Sequence, residues 1–165
     1  VTEREEFEAI MEQLEYDAQT GIFRWKKSKG RASSGSVAGY ARPNRYVSIK
    51  VNGKQYSGHR LAWIISYGVD PELEIDHINN DPHDNRLSNL RLATREQNSF
   101  NTPIGRRNKS GVKGVYFDKN ENKWAAEITT NGRRILVGRF KSIELAEAAI
   151  KEKRLDLHGE FANHG

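Results

Sequence analysis

Between Glu74 and Asn101 the chain reads EIDHINNDPHDNRLSNLRLATREQNSFN, which sets a carboxylate, an imidazole and several carboxamides close together. Asp and Asn side chains offer hard oxygen donors to a divalent cation. A neutral His can take a proton from water near neutral pH, because its ordinary pKa lies there. That combination suits metal-assisted hydrolysis of a phosphodiester. Asp76 and His77 close an apolar run with Ile75 and Ile78, a loop rich in Asn and Asp follows, and a short strand from Leu90 to Ala93 leads into a helix starting near Thr94. Thr94 and Gln97 form a capping box. Asn98 therefore falls in the first two turns, where it can face Asp76 and share one metal ion with it. Successive side chains on a strand point to opposite faces, so Asp76 and His77 serve one site only if the strand ends or bends there. The Asn-rich sequence after His77 predicts such an end.

Other residues compete for these roles. His83 and Asn85 are rival ligands, but both sit in mid-loop, where an Asn ordinarily forms a turn and a His lies on the surface. His59 precedes Leu61, Ile64 and Ile65 on one face of an expected helix and reads as a structural histidine.

The elements that must position this stretch are short. Thr2 to Tyr16 reads as an amphipathic helix, with a Thr2/Glu5 capping box and Phe7, Ile10, Met11 and Leu14 at helical spacing. A strand is expected over Ile22 to Trp25, then a flexible polar loop through SKGRASSGS. Arg45 to Val51 and Lys54 to Tyr56 flank Asn52-Gly53, a strong hairpin signal, and a helix from about His59 to Tyr67 ends at Gly68. Arg24, Lys26 and Lys27 interleave with Trp25, an arrangement able to clamp phosphates or equally to form a solvated strand around a core Trp. Beyond a linker at residues 103–110, three alternating segments (Val112 to Phe117, Lys123 to Thr129, Arg133 to Phe140) are joined by turns that include Asn131-Gly132. Ser142 then caps a helix to about Leu157 whose Ile143, Ala146, Ala149 and Ile150 pack it on one face of an antiparallel sheet. Trp124, Ala126 and Ile128 share the core parity.

Composition bounds the reading. With 165 residues, 36% hydrophobic, the chain makes one ordinary domain or two small ones. It has no cysteine, which excludes thiolate-held zinc and disulfides and fits a reducing cytoplasm. No apolar run reaches membrane-spanning length and the N-terminus is acidic, so neither a membrane segment nor a signal peptide is expected. The net charge is +5 and unevenly spread: residues 1–20 carry seven acids and one base, residues 21–104 thirteen bases and seven acids, and residues 105–165 thirteen bases and eight acids. A basic body and tail suit a polyanion.

The Glu74–Asn101 stretch resembles the ββα-metal motif of HNH endonucleases, in the phage and intron-encoded branch whose last motif position is Asn. The resemblance, extended by HRLAW at His59 to Trp63 and by Asn101, covers roughly residues 14 to 101. It implies that Asp76 is the metal-binding acid, His77 the general base, Asn89 of NLR the central Asn that fixes the loop and helps hold the base, and Asn98 the final metal ligand, with Mg²⁺ as the ion and Mn²⁺ able to replace it. Over about residues 109 to 160, KGV, KWAAEI, VGRF and IELAEAA resemble in order the DNA-binding domain of plant ethylene-response factors. There a three-stranded sheet enters the major groove. By position Lys113, Tyr116, Glu127, Thr129, Arg134 and Leu136 would face DNA. Tyr116, Thr129 and Leu136 stand where the plant domains usually carry Arg, Arg and Trp, so the plant sequence preference does not transfer.

The expected protein is thus α+β: a ββα-metal nuclease domain over residues 1–102, a linker over 103–110, and a small three-stranded antiparallel sheet plus one helix over 111–165. Its expected activity is metal-dependent cleavage of double-stranded DNA by a monomer that nicks at preferred sites, in the manner of homing enzymes. The alternative from another class is a regulator that binds DNA without cutting it, against which intact Asp76, His77, Asn89 and Asn98 argue.

Overall fold

In the computed structural model, which describes residues 2–165, the chain forms two compact units, residues 1–93 and 94–165.

In the first unit α1 (Glu3–Met11) starts at Thr2 with the expected capping box and buries Phe7 and Ile10. The helix stops sooner than its spacing predicts. Leu14–Asp17 is instead a strand, β1, paired antiparallel with β2 (Ile22–Trp25) in the register Leu14↔Trp25 to Asp17↔Ile22. The cause lies in DAQTG: the Asp17 carboxylate accepts from the Gln19 and Thr20 amides, and Gly21 adopts φ +72°, closing a hairpin turn. Leu14 is buried in either arrangement, because its position fits a helical stripe and a strand alternation alike.

β3 (Ser48–Val51) and β4 (Lys54–Ser57) form the second hairpin, with Asn52 and Gly53 both at positive φ as an Asn-Gly turn requires. β3 begins three residues later than expected, since Arg45 to Val47 belong to the preceding loop. α2 (Gly58–Tyr67) follows directly and ends on left-handed Gly68. Its Leu61, Ala62 and Ile64 meet Phe7, Ile10, Leu14, Phe23, Ile49 and Val51 in one core. β5 (Glu74–His77) pairs antiparallel with β6 (Leu90–Ala93), contributing Ile75 and Leu90 to that core.

The second unit opens with α3 (Arg95–Phe100), capped by the Thr94/Gln97 box. β7 (Val115–Asp118), β8 (Lys123–Thr130) and β9 (Arg133–Phe140) form an antiparallel sheet in sequence order, with a bulge at Ala126/Glu127. α4 (Ile143–His158), capped by Ser142, packs Ala146 and Ile150 against Val115 and Ala126. α3 is anchored within this unit. Phe100 stacks on His158 at 3.6 Å, and the Asn163 amide donates to the Asn101 carbonyl at 2.9 Å.

The β1–β2 hairpin is what fixes the loop between β5 and β6. The Tyr16 hydroxyl donates to the Asn85 carbonyl at 2.7 Å, the Leu87 amide donates to the Ala18 carbonyl at 3.0 Å, and a Cβ at Gly21 would lie 2.6 Å from Arg86 N and Asn85 C. Gly21→Ala should therefore destabilise the fold by about 1–3 kcal/mol, through positive φ and backbone collision together. Urea denaturation checks this, and an unchanged midpoint would contradict the docking.

Candidate active site

β5 ends at His77, and the chain turns at once: the Asn80 amide donates to the His77 carbonyl at 2.9 Å, and Asn80 takes φ +61°. This is the strand end that an adjacent Asp and His require, and Asp76 and His77 are each only 5% exposed. Asp76 faces Arg91 across the ladder, and the Arg91 Nε donates to its Oδ2 at 2.8 Å. The carboxylate is thereby oriented and partly neutralised inside the protein.

The His77 ring is held on several sides. Its Nε2 lies 3.2 Å from Asn85 Oδ1, while the Asn85 Nδ2 points to the His83 carbonyl at 3.5 Å. The Asn85 carboxamide thus fixes the orientation of the ring. Tyr46 stacks on the ring at 5.7 Å and His59 meets it edge-on at 5.2 Å. Burial lowers the His77 pKa, partly opposed by the Asn85 hydrogen bond, so the ring is neutral at neutral pH. Burial also drives His59 down to about 4, helped by the neighbouring His77. His59 is thus a neutral packing partner, as its place on α2 suggests, with Nε2 3.3 Å from the Ser57 hydroxyl.

Asn89 closes the loop that follows His77. Its Oδ1 accepts from the Asn79 amide at 3.1 Å, and its Nδ2 donates to Asn79 Oδ1 at 2.9 Å and to the Asp84 carbonyl at 2.8 Å. Asp84 in turn grips Arg86 and Asn79, and the Arg86 guanidinium holds its pKa down to about 2. Asn98 lies in α3, half-buried, with its amide bonded to the Thr94 carbonyl; it belongs to the second unit, and Asp76, His77 and Asn89 to the first.

Two loop residues carry more than the sequence signals. Asn85, weighed only as a turn former or rival ligand, is 1% exposed and bonded to His77; its burial arises only in the folded chain, so the sequence carries no signal for it. His83 anchors a loop, its Nε2 lying 3.1 Å from the Arg42 carbonyl. The basic residues Arg24, Lys26 and Lys27 near β2 are all exposed; Arg24 donates to the Gly35 carbonyl at 3.0 Å and Lys26 to the Met11 carbonyl at 2.6 Å, so both also brace main chain.

In the second unit Tyr116, Glu127, Thr129, Arg134 and Leu136 share the sheet face away from α4: Glu127 pairs with Leu136, Thr129 with Arg134, and the Tyr116 hydroxyl donates to Glu127 Oε1 at 2.8 Å. Lys113 does not join them, contrary to the expectation. It precedes β7, and its Nζ donates to the carbonyls of Phe100 and Thr102, closing the C-terminal end of α3. Burial lowers its pKa to about 8.

Residues 56–100 match the family model described as HNH endonuclease. Over 107 residues the chain is 36% identical to Protein 3.8 of Escherichia phage T7, an alignment covering 63% of this chain and 86% of that protein. It is also 36% identical over 109 residues to "Uncharacterized HNH endonuclease L560" of Acanthamoeba polyphaga mimivirus, covering 63% of this chain and 54%, about half, of that relative. No solved structure matches.

Two expectations follow. Asn85→Leu should slow cleavage by about tenfold or more by releasing the imidazole, with little change in DNA affinity, whereas Asn85→Asp keeps an acceptor and should retain more activity. Single-turnover rates beside equilibrium binding check this; equal rates for the Leu variant and the wild type would contradict it. For His59, the unfolded chain takes up a proton near pH 6.5 that the fold refuses until about pH 4. Its effect on stability is absent above pH 6.5 and grows to a loss of about 3 kcal/mol as pH falls through that window. Denaturation midpoints at pH 7 and 4.5 should diverge less in His59→Gln than in the wild type.

Proposed function

We propose that this chain, which belongs to the HNH endonuclease family and so is a nuclease acting on DNA, is a divalent-metal-dependent, homing-type nicking enzyme in which His77 is the general base. The observation that carries this reading is the buried His77 at the end of β5, kept neutral by burial and oriented by Asn85.

Neutral His77 withdraws a proton from the attacking water, and Asn89 keeps the loop behind it closed. Asp76 and Asn98 are the proposed protein ligands of the cation. Their chemistry fits: one carboxylate and one amide oxygen form a hard donor pair that suits Mg²⁺, with Mn²⁺ as a substitute. When bound, such an ion supplies positive charge to the phosphate and the departing 3′ oxygen. Arg91 holds the Asp76 carboxylate in place from the opposite strand.

The sheet face of Tyr116, Glu127, Thr129, Arg134 and Leu136 is the proposed reader of double-stranded DNA, in the manner of an ethylene-response-factor-like domain. Its mutual register and exposure support the assignment, as does the +5 charge of residues 105–165. The enzyme is proposed to act as a monomer in the cytoplasm of its cell. Residues 1–102 as nuclease and 111–165 as reader, joined through 103–110, remain part of this reading.

Incubation of supercoiled plasmid with Mg²⁺ or Mn²⁺ should yield open circles, and EDTA should prevent it. His77→Ala should lose about 10²- to 10⁴-fold in rate with DNA affinity nearly unchanged, and wild-type cleavage by that variant would overturn the base assignment. Asp76→Ala and Asn98→Ala should each weaken metal-dependent cutting, the second being more readily rescued by Mn²⁺. Arg134→Ala should flatten the plot of log affinity against log salt by about 0.9 if it contacts a phosphate; identical footprints and slopes would remove the sheet from DNA reading.

A further inference from the structure

A groove of about 450 Å³ runs along the first unit beside His77, lined among others by Tyr40, Arg42, Arg45, Tyr46, Gln55 and Ser57. It contains two cations and no acid. Tyr46 belongs both to the groove and to the shell of the proposed base, on which it stacks, and Ser57 touches His59 behind that ring. We propose that this groove seats the DNA strand next to the bond being cut, with Arg42 and Arg45 holding phosphates that flank it.

The presentation of the two arginines carries the argument. Residues 42–45, Arg-Pro-Asn-Arg, form a tight turn in which the Arg45 amide donates to the Arg42 carbonyl at 3.0 Å. Pro43 at the second position and Asn44 at φ +56° in the third are the residues and geometry of a type II turn. Such a turn keeps its first and last Cα within about 7 Å, so both guanidiniums spring from neighbouring points. The same Arg42 carbonyl takes a second bond from His83 in the motif loop at 3.1 Å, tying the turn to the segment that carries the proposed catalytic residues. The turn is therefore built before substrate arrives, which lowers the ordering cost of binding.

Both arginines are exposed, and among the described residues neither makes an ion pair. Arg42 lies over the Tyr40 ring at 5.8 Å, a contact that steadies it without using its donors. Tyr40 and Tyr46 are 54% and 53% exposed, which is high for rings. A planar guanidinium pairs with phosphate oxygens through two parallel N–H bonds, and exposed tyrosines cover the sugar edge between phosphates. The two arginines on its wall favour an anionic strand over a small apolar ligand, and the tyrosines beside them offer faces to sugar and base.

This proposal rests on His77 being the base only for the position of the cut bond, and the test separates the two. In full-length protein carrying His77→Ala, binding of a DNA duplex is measured from low to moderate salt. Adding Arg42→Ala and Arg45→Ala should weaken binding about tenfold or more at low salt and reduce the slope of log affinity against log salt by about 1.8, that is, about 0.9 for each phosphate that is no longer neutralised. Arg42→Lys with Arg45→Lys keeps both charges and should hold the slope. Arg4→Ala, whose side chain pairs with Glu8 on α1, should change neither quantity. Should the alanine pair fold poorly by circular dichroism, Arg42→Gln with Arg45→Gln carries the same expectation. Equal slopes and affinities with and without the two arginines overturn the proposal. Undiminished cutting by His77→Ala alone would overturn the base assignment and leave the slope result standing.

Discussion

An imidazole and a carboxylate, adjacent in sequence, are both taken out of water at the end of one short strand, and most of the first unit answers to that constraint. Burying either group without a partner would cost several kcal/mol. Asp76 meets the cost with Arg91 across the ladder, and His77 with the Asn85 carboxamide and neutrality. Each solution demands another. Asn85 must itself be fixed, and the Tyr16 hydroxyl, the closely fitting Gly21 and the Asn89 bonds to Asn79 and Asp84 hold the loop that carries it. The β1–β2 hairpin, which sends Leu14 and Phe23 into the core, thus also serves the fold by holding polar groups still.

Signals with a local mechanism were legible. Both capping boxes bind as the Thr-x-x-Glu and Thr-x-x-Gln patterns require, and both Asn-Gly pairs turn hairpins. The three-strand, one-helix pattern of the second unit needed only alternation and turn chemistry, so it too was readable. What stayed hidden depended on competition or distance. Leu14 satisfies helical and strand periods alike, and the contest was decided by Asp17 and Gly21, outside the apolar pattern. Asn85 looks like any loop Asn until the chain is folded, because its partner lies on β5 and its burial comes from a hairpin far earlier in the chain. Lys113 carries the charge expected of a DNA contact, yet carbonyls ending a helix claim it. Charge on a sequence does not distinguish a phosphate from a main-chain oxygen.

The helix that carries Asn98 shows how the two units depend on different physics. Six residues are too few to hold a helix in water by propensity alone, since nucleation costs more entropy than so short a ladder offsets. α3 persists because both ends are met. Thr94 and Gln97 satisfy its first amides, Lys113 takes carbonyls at its last turn, Phe100 lies flat on His158 at 3.6 Å, and Glu96 accepts from the Asn131 amide at the β8–β9 turn. Lys113 is in turn placed by buried Arg154, which donates to its carbonyl at 2.7 Å from α4. The order of α3 therefore derives from residues 113–163. Division of the chain near Thr102 would leave the Asn98 sequence in place while removing what keeps it helical. The C-terminal unit accordingly acts as the scaffold of the helix that carries Asn98.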